Sequence, residues 1–118
     1  METFKVTKIS SDKNGESFFE EVFYPLTESG PIGFLSEKLD VKSLMFRKVI
    51  PHYDYDFHTA PQKQFIVLLD GEIEIETSLG DVRSFKSGEV LQVEDISGKG
   101  HKTRNLKQEV RNSLFIVY

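Results

Sequence analysis

Along this chain, apolar and polar residues trade places with a period of two far more often than with the period of a helix. Glu72-Ile-Glu-Ile-Glu76 alternates strictly, so Ile73 and Ile75 share one face of an extended strand and the glutamates share the other. Phe65-Ile-Val-Leu-Leu69 is apolar on both faces, the pattern of a central strand with a core on one side and a second packed surface on the other. Leu114-Phe-Ile-Val-Tyr118 has the same two-sided character and is expected to close the sheet or to join a second subunit.

Further stretches rich in Phe, Val, Ile and Tyr run from Thr3 to Ile9, Phe18 to Tyr24, Leu44 to Ile50, Asp81 to Phe85 and Glu89 to Val93. Glycine-bearing turn signals separate them, among them Lys13-Asn-Gly, Asp70-Gly71, Ser78-Leu-Gly80, Lys86-Ser-Gly88 and Ser97-Gly-Lys-Gly100. Many short strands punctuated this way predict an all-β antiparallel sandwich or barrel. Helical spacing is confined to Leu35 to Val41, where an irregular loop fits as well.

Length and charge narrow the classes. A chain of 118 residues suits one domain, 1–118, with a core large enough to need no disulfide or structural metal. Cysteine is absent, which excludes thiolate chemistry and agrees with a reducing cytoplasm. The amino terminus carries no apolar run of signal-peptide length, and Phe65 to Leu69 is too short to span a bilayer. A net charge of −4 with dispersed Lys and Arg provides no footprint for a phosphate backbone. The expectation is a cytoplasmic protein with a small-molecule ligand and neither nucleic acid nor membrane as partner.

The segments His58-Thr-Ala-Pro-Gln-Lys-Gln64 through Gly71, and His101-Lys-Thr-Arg-Asn105, resemble the two-part motif of the cupin superfamily. The first motif of that family reads Gly-x5-His-x-His-x3-4-Glu-x6-Gly and the second Gly-x5-Pro-x-Gly-x2-His-x3-Asn. His58 falls on the first histidine, Ala60 replaces the second, Gln64 replaces the glutamate, and Gly71 closes the motif. Gly80, Gly88, His101 and Asn105 fall on the second motif, with Lys86 in place of proline and a longer loop before the histidine. The resemblance covers roughly residues 44–118 and implies a single-domain cupin jelly-roll β-barrel, the preceding residues adding flanking strands. A narrower likeness, to small bacterial cupins with patterns such as Asp-x-His-x-Ala-Pro-x-x-Gln, carries no activity with it.

In the cupin register Asp56, His58 and Ala60 face the cavity, with Tyr55, Phe57 and Thr59 on the opposite face. Gln64 points inward from the next strand, and His101 arrives from an adjacent one. His58, His101, Asp56 and Gln64 are the candidate metal ligands. Two imidazoles and a carboxylate leave positions open on a divalent ion such as Zn, Fe, Mn or Ni, and Gln64 adds only a neutral carbonyl oxygen. The other reading is a lapsed metal site in which both histidines hydrogen-bond an organic ligand, and the residues leave the two open.

His58, His101 and Asp56 are also the candidate catalytic groups, Asp56 orienting His58 as a general base. Gln64, Tyr55, Arg47 and Glu94 are candidate substrate-binding residues. For the last three a plainer role stands beside it: core packing or a dimer contact for Tyr55, an exposed barrel surface for Arg47, and turn formation for Glu94 with Asp95. His52 is read as a surface histidine, Asp54 as a solvated carboxylate, and Asn105 as securing a neighbouring loop.

The function expected is a small cupin binding a small polar organic molecule, with metal-assisted isomerase, lyase or dehydratase chemistry on a sugar-like or hydroxy-acid substrate. The alternatives are a non-catalytic metabolite-binding or sensor domain and a non-haem iron dioxygenase-like cupin. Strands apolar on both faces, together with family habit, suggest a homodimer.

Overall fold

The computed structural model describes residues 2–118. Twelve strands follow in order: β1 (Thr3–Ser11), β2 (Ser17–Pro25), β3 (Thr27–Glu28), β4 (Phe34–Leu35), β5 (Ser43–Val49), β6 (Asp54–His58), β7 (Gln64–Leu68), β8 (Glu72–Thr77), β9 (Val82–Lys86), β10 (Val90–Val93), β11 (His101–Asn105) and β12 (Arg111–Val117). Among the described residues the only helical turn is a short 3-10 turn at Gly30–Ile32. The stretch with helical spacing, Leu35 to Val41, is instead the end of β4 followed by irregular chain.

Two large sheets face each other. One has the order β2-β1-β10-β7-β12-β5 and the other β6-β11-β8-β9, while β3 and β4 form a small hairpin of their own. All pairings are antiparallel except β1 with β10. This is an all-β jelly roll, in which sequence-distant strands become neighbours because the chain crosses from sheet to sheet. The core between the sheets holds Ile9, Ala60, Leu68, Ile73, Ile75, Phe85, Leu91 and Val93. Burying Ile73 and Ile75 while the flanking glutamates stay partly exposed is the outcome of the strict alternation in β8.

The two-sided apolar strands use both faces. On β7, Gln64 and Ile66 face the inside of the roll, whereas Phe65 and Val67 line an apolar groove on the outside together with Phe4, Tyr24, Phe34 and Leu39. On β12, Phe115 faces inward and Ile116 joins the outer groove.

One backbone contact sets the site. Gly100 immediately precedes β11, has φ +72°, and lies so close to β6 that a Cβ there would fall 2.0 Å from the carbonyl oxygen of His58. Only a residue without a side chain lets the two strands approach this way. That approach makes His101 the cross-strand partner of His58.

Candidate functional site

The open end of the roll is a cavity of about 310 Å³. Ile66, Ile73, Ile75, Leu91, Val93 and Phe115 form its apolar wall, and His58, His101, Gln64, Arg47, Arg111, Tyr53, Tyr55 and Thr103 add the polar groups. An apolar pocket with a few convergent polar side chains is the usual form of a small-molecule site.

The two imidazoles meet across the β6–β11 pair, with ring centroids 4.7 Å apart. Each has its Nδ1 already committed. His58 Nδ1 lies 2.8 Å from the Asp56 carbonyl oxygen, which can only accept, so this nitrogen carries the hydrogen. His101 Nδ1 lies 2.6 Å from Asp95 Oδ2, and Asp95 is wholly buried at 0% exposure. A carboxylate likewise accepts, so in the neutral form both rings keep the lone pair on Nε2. Burial is the largest influence on His58 and lowers its pKa. The nearby His101 and Arg47 push the same way, against the Asp56 hydrogen bond and the Asp95 charge.

Asp56 does not line the cavity. The register between β6 and β11 pairs His58 with His101 but Tyr55 with Thr103, so β6 carries one residue more than its partner over this stretch. Such a bulge breaks strict alternation. Tyr55 therefore turns inward and stacks on His58 at a centroid distance of 3.9 Å, while the exposed Asp56 carboxylate accepts the Phe57 backbone N–H at 2.8 Å. Asp56 still orients His58, through its main-chain carbonyl and not its carboxylate. The ligand set read from alternation thus loses its only carboxylate.

Glu94 also lies away from the cavity. It accepts a hydrogen bond from Tyr118 and pairs with Lys8 at 3.1 Å, in a network that continues through Gln92 to Tyr24. Its neighbour Asp95 is the carboxylate that reaches the site. The alternation could have distinguished them, since Leu91, Val93 and Asp95 share the inward phase.

Arg47 and Gln64 do line the cavity. The Arg47 guanidinium carbon sits 5.2 Å from the Tyr53 ring centre and 4.8 Å from that of Phe115. Arg111, absent from the sequence-derived candidates, is the larger addition. It is 2% exposed, donates from Nε to Asn105 Oδ1 at 2.7 Å, and has its guanidinium carbon 5.6 Å from the Tyr53 ring centre. Desolvation, with Arg47 nearby, lowers its pKa to about 10, so it remains a cation near neutrality. The signal for it was the inward phase of Arg111, Ser113, Phe115 and Val117 along β12. Asn105 acts as expected from its motif position, its amide donating to the Ile50 and Pro51 carbonyls at 3.0 and 3.2 Å.

Two buried polar atoms on the cavity residues have no partner: Gln64 Oε1 and one terminal nitrogen of Arg111. Among the described residues no cluster of three His, Cys, Asp or Glu side chains can hold a metal ion. Of the candidate metal ligands, His58 and His101 come together at a ring-centroid distance of 4.7 Å, and Gln64 lines the same cavity. That donor set is neutral, and it shares the cavity with two guanidinium groups, so it fits a divalent cation only in part.

No family model and no curated protein matches the chain. Among solved structures it is similar to Drosophila melanogaster CENP-C bound to CAL1, at 14% identity over 79% of this chain and 74% of that one with a TM-score of 0.50. It is also similar to the Schizosaccharomyces pombe Cnp3 cupin domain, at 12% identity over 98% and 83% with a TM-score of 0.49. A putative ethanolamine utilization protein from Salmonella typhimurium matches at 14% identity over 100% and 98% with a TM-score of 0.41. At such identities the likeness is one of fold. Together with the crossed two-sheet topology, the CENP-C likeness leads to one statement: this chain has an all-β jelly-roll fold.

Proposed function

We propose that the cavity binds a small polar organic molecule and that His58 and His101 move a proton on it, as an isomerase, lyase or dehydratase acting on a sugar-like or hydroxy-acid substrate does. The observation that carries this reading is the pair of neighbouring imidazoles whose Nδ1 hydrogens are both given away. Each ring then offers Nε2 as a base. His101 is backed by the buried Asp95, which supplies a counter-charge to the imidazolium formed when Nε2 takes a proton. His58, whose pKa burial lowers, accepts a hydrogen bond from a substrate hydroxyl in its neutral form. Tyr55, stacked on His58, fixes the plane of that ring.

The test is solvent exchange. Aldoses, ketoses and 2-hydroxy acids incubated with the protein in D2O should lose the proton next to their carbonyl or hydroxyl group, as followed by NMR, and His101→Ala should abolish that exchange. Binding without exchange would favour the metabolite-binding or sensor reading. No binding by any member of the panel would overturn both.

A divalent metal is the second reading, favoured by the unpartnered Gln64 Oε1 on a residue that lines the same cavity as the two histidines. Zn, Fe, Mn or Ni held there would polarise a substrate oxygen. Metal analysis of the purified protein, against His58→Ala, tests it: stoichiometric metal that disappears in the variant supports this reading.

We also propose that two copies of the chain pair. The free edge of β5 carries exposed Leu44, Met45 and Phe46, the last at 84% exposure. An unpaired apolar edge is a template for another strand, and antiparallel pairing with its own copy satisfies two-fold symmetry. Light scattering on Phe46→Lys checks it: a wild-type dimer that becomes monomeric supports the pairing, and a monomeric wild type ends it.

A further inference from the structure

The cavity wall has a surplus of positive charge with nothing to meet it. Arg47 and Arg111 both line the space, both guanidinium groups approach the Tyr53 ring, and among the described residues neither takes part in a salt bridge. The Arg111 side chain is 98% buried by its 2% exposure, and one of its terminal nitrogens has no hydrogen-bond partner. An unpaired buried cation is costly, and chains keep one mainly where something else neutralises it. Here Arg47 works against it as a like charge, and the Asp70 carboxylate that acts in its favour is itself engaged by the Asn112 backbone and amide at 2.6 and 2.7 Å.

The opposite requirement appears on the same wall. Gln64 Oε1 is buried without a donor, and the two imidazoles, with Nδ1 committed, present acceptors through Nε2 in their neutral form. The cavity therefore asks for two things: an anionic acceptor for the arginines, and a hydroxyl donor for the histidine and glutamine side. Both guanidinium groups lie close to the Tyr53 ring centre, 5.2 Å for Arg47 and 5.6 Å for Arg111, near enough to one another to share one planar oxyanion.

From these complementary deficits we infer that the ligand is a small 2-hydroxy acid, its carboxylate held by Arg111 and Arg47 and its hydroxyl directed at His58, His101 and Gln64. This rests on the proposed small-molecule reading of the cavity and adds the charge and polarity of the ligand to it. Arg111 is then the residue that discriminates an acid from a neutral molecule of the same shape. Fork geometry makes it the better anchor, because a guanidinium presents paired donors to a carboxylate where an ammonium presents a point charge.

The experiment compares each acid with its own amide, which keeps the shape and removes the charge. Lactate, glycerate and malate are titrated calorimetrically into the full chain beside lactamide, glyceramide and malamide, in wild type, Arg47→Gln and Arg111→Lys. At least one acid should bind tenfold or more tighter than its amide. Removing one charge-assisted contact should cost about 10–100-fold in acid affinity and distinctly less in amide affinity, because the amide carbonyl keeps only a neutral hydrogen bond to lose. Arg47→Gln keeps the test valid should Arg111→Lys fail to fold, because Arg47 is on an edge strand and makes no side-chain hydrogen bond among the described residues. Acid and amide binding alike, or full acid preference in Arg47→Gln, overturns the inference while leaving the cavity reading standing. Binding of neither acids nor amides overturns the inference, and absence of binding across the sugar panel as well would take the cavity reading with it.

Discussion

Replacing Gly100 by alanine tests whether the close approach of β6 and β11 builds the site. At φ +72° an alanine meets the left-handed penalty of an L-residue, roughly 1–2 kcal/mol. Its Cβ would also fall 2.0 Å from the His58 carbonyl oxygen, 2.3 Å from the carbonyl carbon and 2.8 Å from the Thr59 nitrogen. These are backbone atoms, so relief requires the strands to part, and overcrowding of this sort adds about 1–3 kcal/mol. The expected loss for Gly100→Ala is therefore about 2–5 kcal/mol in urea unfolding. Gly80 and Gly88 provide the control. They have φ +90° and +88° with nothing within 4 Å of a new Cβ, so alanine there should cost only the backbone term of roughly 1–2 kcal/mol. Parting β6 from β11 also pulls His58 from His101, so ligand binding should fall in Gly100→Ala and not in Gly88→Ala. If Gly100→Ala proves no more destabilising than the two controls, the strand approach is not what that glycine provides.

Three other outcomes are expected. His58 is held below its usual pKa of 6.5 chiefly by burial, so the unfolded chain binds this proton first as pH falls through about 6.5. Stability should then drop as the pH is lowered toward the folded-state value. In chelator-treated protein, urea midpoints at about pH 7 and pH 5.5 should differ less for His58→Gln than for wild type, and an identical difference would contradict the burial argument. Asp95→Asn removes the charge behind His101 and should cost about 1.5–3 kcal/mol. Imidazole 15N shifts should report whether the hydrogen stays on Nδ1, and unchanged shifts with unchanged exchange activity would deny Asp95 its positioning role. Asn105→Ala strips Arg111 of its Nε acceptor and the Ile50 and Pro51 carbonyls of their donor, for a loss on the order of 2–3 kcal/mol; denaturant unfolding within 0.5 kcal/mol of wild type would be the contrary result.

Local pattern determined much of this molecule. The alternation of Glu72-Ile-Glu-Ile-Glu76 placed Ile73 and Ile75 in the core, because strand geometry sends neighbouring side chains to opposite faces whatever the rest of the chain does. The two-sided character of Phe65 to Leu69 marked a central strand, and its place between β10 and β12 follows. The spacing of His58, Gly71, His101 and Asn105 pointed to the jelly roll, and with it to two histidines on neighbouring strands. What alternation could not supply was its own interruption. The extra residue in β6 is defined only against β11, and it exchanged Asp56 for Tyr55 on the cavity wall.

The charges were decided the same way. An arginine and a carboxylate at inward positions read from sequence as surface groups, because burying either is unfavourable until a partner exists. Asp95 found His101 and Arg111 found Asn105, each six residues away in the chain, only when the loops flanking β11 folded back in the assembled roll. Periodicity is a property of each strand alone, whereas bulges and buried charges depend on pairs of strands, and only the assembled roll brings those pairs together.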